Sequence, residues 1–176
     1  KTNVISKPAE LYELQIAACY LYAKSAFLSK DAPIEGILNE IKKVASWDYS
    51  LLYLLGELTY IQKDFKKSFE YFTKLANSEK KDPLIDLWLG ILNYKLSNFE
   101  ASAQLLKRIS FPIQQSVIRE EYLFDNPKEL SELCLKYKGL SFYAVSDWEH
   151  VIECFEILKK DYTIDNDLKF CLSRAY

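Results

Sequence analysis

Apolar residues along this chain fall at helical intervals, and those intervals recur. Phe65, Phe69, Phe72 and Leu75 draw a stripe along one face of a helix. A longer apolar segment, Leu51–Leu55, precedes them and is cut off by Glu57. Between the two lies Asp64, a residue type whose short side chain can accept the free amides of a helix start. The same order returns with Asn98 ahead of Phe99, and again with Asp147 ahead of Trp148. Each unit therefore reads as helix, tight turn, helix.

Alignment on glycine makes the period explicit. Gly56 and Gly90 stand 34 residues apart, and Leu55/Leu89, Leu58/Leu92, Tyr60/Tyr94, Phe65/Phe99, Ser68/Ser102 and Leu75/Ile109 match in step. Gly139 opens a third copy 49 residues after Gly90, one period plus 15, with Tyr143, Phe155 and Leu158 in register. Another 34 residues on, Ser173 takes the glycine position. Glycine inside a helix costs about 1 kcal/mol relative to alanine. Its return at one register position predicts a close approach of two helices there. A lone helix pair leaves its apolar stripe uncovered, so neighbouring pairs must stack.

The flanks are less regular. Pro8 to about Ser29 reads as one long apolar helix through Leu11, Leu14, Ala18, Leu21 and Phe27, with Pro33 to Val44 as its partner. The surplus between the second and third copies, Ser110 to Phe124, reads as a short extra helix that packs on one face or fills the groove. Asn126-Pro127 with Glu129 marks the start of the helix that carries Gly139. The expected organisation is a divergent helical pair over 1–47, a possible cap or dimerisation element, then repeats over 48–176. These divide into 48–82, 83–109, an insert 110–125, 126–163 and a partial copy 164–176. The partial last copy and the absence of methionine lead to the expectation that the chain is a piece of a longer one.

These residues resemble the tetratricopeptide repeat family, whose period is 34 residues. Leu55-Gly56, Ser68, Phe72 and Leu75 carry the resemblance in the first copy. Leu89-Gly90, Ser102, Leu106 and Ile109 carry it in the second, and Gly139, Phe142, Val151, Phe155 and Leu158 in the third. The early tryptophan of the pattern is replaced by Leu52, Asp86 and Leu135. The resemblance implies an all-α fold, a right-handed superhelical solenoid of about 3–4 antiparallel helix pairs plus a partial terminal repeat. It also implies a concave groove lined by the first helices. Counting from each glycine, that groove comprises Tyr53, Glu57 and Tyr60; Leu87, Ile91 and Tyr94; Lys136, Leu140 and Tyr143. This stripe is apolar and rich in tyrosine, a composition suited to holding a partner helix or peptide. The same residues could instead pack on one another, on the insert or on the next superhelical turn. A clamp for a terminal carboxylate, as in chaperone-binding members, needs several basic residues, and Lys136 stands alone.

Composition narrows the function classes. The chain has 176 residues, 49% hydrophobic and 27% charged, with 4 Gly and 5 Pro, which suits long helices with short connections and a solvated surface. Net charge is −2 from 23 basic and 25 acidic residues, and the lysine pairs are interleaved with acids, so no phosphate-binding stripe forms. Cys19, Cys134, Cys154 and Cys171 have no zinc spacing and sit among apolar residues, as reduced core thiols of a cytoplasmic or nuclear protein would. No apolar run approaches the roughly 20 residues of a membrane span, and no signal peptide opens the chain. The single histidine, His150, has Asp147, Glu149 and Glu153 nearby and reads as a surface or interface residue. Phosphate-cradle, nucleophile and zinc motifs are missing.

The expectation is a scaffold that is not an enzyme and needs no cofactor. It would bind a protein segment or a second copy of itself, with no nucleic acid, membrane or small-molecule substrate. The alternative is a regulatory arm of a larger enzyme or of a ubiquitin-ligase assembly like the anaphase-promoting complex, a cell-cycle role.

Overall fold

The computed structural model describes residues 8–29, 36, 39, 41, 48–78, 82–119, 122–162 and 165–176. Among them every regular element is helical. In chain order these are α1 (Pro8–Ser29), α2 (Tyr49–Ile61), α3 (Phe65–Ala76), α4 (Pro83–Lys95), α5 (Phe99–Lys107), α6 (Pro127–Ala144), α7 (Trp148–Asp161) and α8 (Asn166–Ala175). The second helix expected over 33–44 lies outside the described residues, apart from Gly36, Asn39 and Ile41, which are helical.

Each helix from α2 to α8 packs chiefly on its neighbours in the chain, and α4 and α6 also meet, as do α6 and α8. Consecutive helix pairs laid side by side give an architecture compatible with a helical solenoid. The two members of a pair have different surroundings. In α2, nine residues are buried, because neighbours cover more than one side of it. In α3 only Ser68, Phe72 and Leu75 are buried, a single stripe with solvent on the other side.

The three glycines occupy equivalent settings. A methyl group at Gly56 would sit 2.6 Å from Phe72, at Gly90 2.6 Å from Leu106, and at Gly139 2.3 Å from Phe155. Each intruding side chain lies sixteen residues after its glycine. The second helix thus drives one bulky side chain into the gap left by the missing Cβ of the first. A hydroxyl reinforces this twice: Ser68 Oγ donates to the Gly56 carbonyl at 2.8 Å, and Ser102 Oγ to the Gly90 carbonyl at 2.7 Å. In the third copy Val151 takes that position and has no proton to give. Ser141 Oγ instead lies 2.7 Å from Ser102 Oγ, a contact between second and third pairs.

The turns repeat as well. Lys63, Ser97 and Ser146 have φ of 63°, 65° and 59°. All three stand seven residues after a glycine. The next residue of each turn reaches back to the helix just ended: the Asp64 amide donates to Thr59 O at 2.9 Å, Asn98 to Asn93 O at 2.8 Å, and Asp147 to Phe142 O at 2.9 Å. That bond, with the left-handed residue before it, closes the helix by the Schellman arrangement. Asp64 then caps α3, accepting the Lys67 amide at 3.2 Å. Asn98 and Asp147 hold the expected N-cap positions, but their side chains do not cap. Asn98 Nδ2 donates to Asn93 Oδ1 at 3.3 Å, and Asp147 Oδ1 faces His150 Nδ1 at 2.9 Å.

The insert departs from the helix expected there. Its only helical element among the described residues is a single 3-10 turn at Gln115–Val117.

Candidate partner-binding face

The glycine register assigns three residues of each first helix to one side, the expected groove. Tyr53, Glu57, Leu87 and Ile91 are all buried there, while Tyr60, Tyr94, Lys136, Leu140 and Tyr143 are half-buried. The first two copies are covered by the chain itself, because the end of the insert lies across α2 and α4. Tyr122 stacks flat on Tyr53, with ring centroids 3.8 Å apart and planes 7° from parallel. Its hydroxyl donates to Asp82 Oδ2, which also accepts the Tyr49 hydroxyl at 3.2 Å. Asp82 Oδ1 caps α4 through the Leu84 amide at 2.9 Å. One carboxylate therefore ties a helix start, the preceding pair and the insert together.

Glu57 is the second anchor. The Leu123 amide donates to its Oε2 at 2.8 Å and the Phe124 amide to its Oε1 at 3.3 Å. An irregular segment has no ladder of backbone acceptors for its amides. Here the carboxylate of a first helix does so. Glu57 has no solvent exposure. Burial pushes its carboxyl up to about 8, against the opposing pull of the two amides. Beside it Phe124 enters a cluster of rings, 5.0 Å from Trp88, 5.5 Å from Phe27 and 6.3 Å from Tyr60. Trp88 Nε1 donates to the Tyr53 hydroxyl at 2.8 Å, which satisfies both buried groups. The insert also reaches α1 through a Lys24–Asp125 ion pair at 2.6 Å.

The sequence reading named Tyr53, Glu57 and Tyr60, which the end of the insert meets. It missed Tyr122, Leu123, Phe124 and Asp82. One signal was available: Glu57 interrupts an apolar stretch, and a carboxylate in such surroundings needs dedicated donors.

The remaining positions lie in the third copy, where Lys136 pairs with Asp165 at 3.1 Å and Tyr143 meets Trp148 edge-on at 5.5 Å. Counting from Ser173, the fourth copy places Phe170 and Arg174 on the same side. Phe170 is 59% exposed, with the Arg174 guanidinium 5.9 Å from its ring. At the other end α1 turns Ile16, Cys19, Ala23 and Phe27 inward and leaves Leu14, Leu21 and Tyr22 exposed.

His150 rests on Phe142, with ring centroids 4.6 Å apart. Its hydrogen bond holds Asp147 below the usual carboxylate range. Burial raises the Cys134 thiol to about 11 and the Cys154 thiol to about 12. Among the described residues no group of three or more His, Cys, Asp or Glu side chains is placed to hold a metal ion, and no helix is long and apolar enough to cross a membrane. No protein-family model matches the chain, and no curated protein does.

Proposed function

We propose that this chain is a protein-interaction scaffold of the tetratricopeptide type, a solenoid subunit without catalysis of its own that holds a partner polypeptide. The single observation carrying this is the register: glycine, intruding side chain and left-handed turn residue recur at fixed offsets in three successive helix pairs. Such an array displays a broad surface and assembles no constellation of reacting groups. The end of the insert covers the expected groove over α2 and α4, so the partner engages the part it leaves uncovered. That part includes Leu140, Tyr143, Phe170 and Arg174. An aromatic ring backed by a guanidinium is the composition of an interface anchor.

The test is affinity purification with the chain as bait, in parallel with Phe170→Glu and with a surface variant on the far side, Glu100→Lys. Both substitutions lie at solvent-facing positions, so the fold is retained, which circular dichroism checks. The expected result is a protein recovered by the unaltered chain and by Glu100→Lys and lost with Phe170→Glu. Equal recovery by all three baits would exclude this face.

A further inference from the structure

Thirteen residues after its glycine, the first helix pair carries Phe69 and the third carries Ile152. Both side chains are half-buried and pack on the core beside them. The second pair has only Ala103 at this register. A methyl group leaves open the space that a larger side chain would take. An open cleft of about 250 Å³ lies over Ala103, between α5 and the turn from α6 to α7. Its walls belong to two internal helix pairs, so its opening owes nothing to either end of the array. The floor is Ala103, Phe142 and Val145, and the rim carries Glu100, Lys107 and Asp147. Ala103 and Phe142 are buried, while Glu100 and Lys107 are exposed. The rim thus sets two carboxylates against one ammonium group. Asp147 keeps its charge, because the hydrogen bond from His150 holds it below the usual carboxylate range.

We infer that this cleft receives an arginine side chain of a partner polypeptide, with its stem on Ala103 and Val145 and its guanidinium against Glu100 and Asp147. An apolar floor under an acidic rim matches a side chain with an aliphatic stem and a cationic head. The planar guanidinium can serve two carboxylates at once, which a single ammonium does less well. A purely apolar side chain would fill the space and strip water from the rim carboxylates without replacing it. An acidic one would meet like charge. The site lies on the second helices, so the inference does not rest on the face that carries Phe170.

The probe is a tripeptide blocked at both ends with arginine between two alanines. Its control carries citrulline, which keeps the stem and shape of arginine without the charge. Titration of the full chain is followed by its backbone amide shifts. The expected result is saturable millimolar binding with shifts at Ala103 and Val145. The citrulline peptide is expected to bind at least about tenfold more weakly. Ala103→Ile, which copies the third pair, should close the cleft and abolish the shifts with the fold kept, as circular dichroism checks. Glu100→Gln, at an exposed position, should weaken binding, and Lys107→Gln should strengthen it. Phe170→Glu should leave the titration unchanged, which separates this site from the face proposed above. No saturable shifts, equal binding of the citrulline peptide, or binding that survives both Ala103→Ile and Glu100→Gln would each overturn the inference. So would tighter binding of free arginine than of the tripeptide, which would give the cleft to a small molecule.

Discussion

Glu57 accepts the backbone amide of Leu123 at 2.8 Å, across 66 residues of sequence and with no solvent reaching the carboxylate. The side chain belongs to α2, the first helix of its pair, and the segment it holds belongs to the insert. Removing it orphans the amides of Leu123 and Phe124 in a covered site, at about 1–3 kcal/mol for each unsatisfied group. Glu57→Ala is therefore expected to lower unfolding stability by at least about 2 kcal/mol. Hydrogen exchange at the Leu123 and Phe124 amides should quicken more than at Gly139, in a different helix pair. Unchanged stability and exchange would mean the aromatic contacts of Tyr122 and Phe124 hold the insert alone.

The same carboxyl makes stability depend on pH in an uncommon direction. Its folded value of about 8 lies above the ordinary 4.5. Between these values the folded chain keeps a proton that the unfolded chain has released. Its contribution is therefore complete below about pH 4.5, declines as pH rises through about 8, and levels off beyond. The slope is at most about 1.4 kcal/mol per pH unit. Urea unfolding from pH 5 to 9 should show the unaltered chain losing stability relative to Glu57→Gln as pH rises. Parallel curves would show that Glu57 does not titrate in this window.

The turns hold lysine and serine in a conformation that suits glycine. Lys63, Ser97 and Ser146 each bear a Cβ at φ near 60°, which costs about 1–2 kcal/mol. Glycine relieves that strain and adds about 0.4–1 kcal/mol of unfolded-state entropy. Each single glycine substitution should raise stability by up to about 1 kcal/mol, additively, because the turns lie in separate pairs. Thermal unfolding of the three singles and the triple variant measures this, and a lowered midpoint would contradict it.

The mid-helix glycines should behave in the opposite way. Alanine favours helix by about 1 kcal/mol over glycine, but at Gly139 its methyl meets Phe155 at 2.3 Å. Overpacking of this kind costs about 1–3 kcal/mol. Gly139→Ala should be neutral to destabilising, and Phe155→Leu in its presence should cost less than Phe155→Leu alone. A double-mutant cycle reads the coupling. Independent effects would mean that the two helices adjust freely.

Much of the fold was legible because its causes are local. Glycine at 34-residue spacing, aromatics one residue after a polar turn, and stripes at helical period each reflect contacts within one pair or between adjacent pairs. The insert was legible only as surplus length. Its end lies irregularly across two helices, and no periodicity marks a segment in which two amides are satisfied by a remote carboxylate. The caps show the same divide: Asp64 and Asn98 have equivalent places in the chain, yet Asp64 caps its helix while the Asn98 side chain turns its amide to Asn93.

By itself the sequence determined the helices, their pairing and the close approach at Gly56, Gly90 and Gly139, since a repeated local pattern can be buried only by stacking like units. The tertiary structure alone decided that Tyr53 and Glu57 face Tyr122, Leu123 and Phe124 of the same chain. That choice depends on where an irregular segment crosses the array and which buried donors and acceptors it brings together, and no residue spacing encodes it.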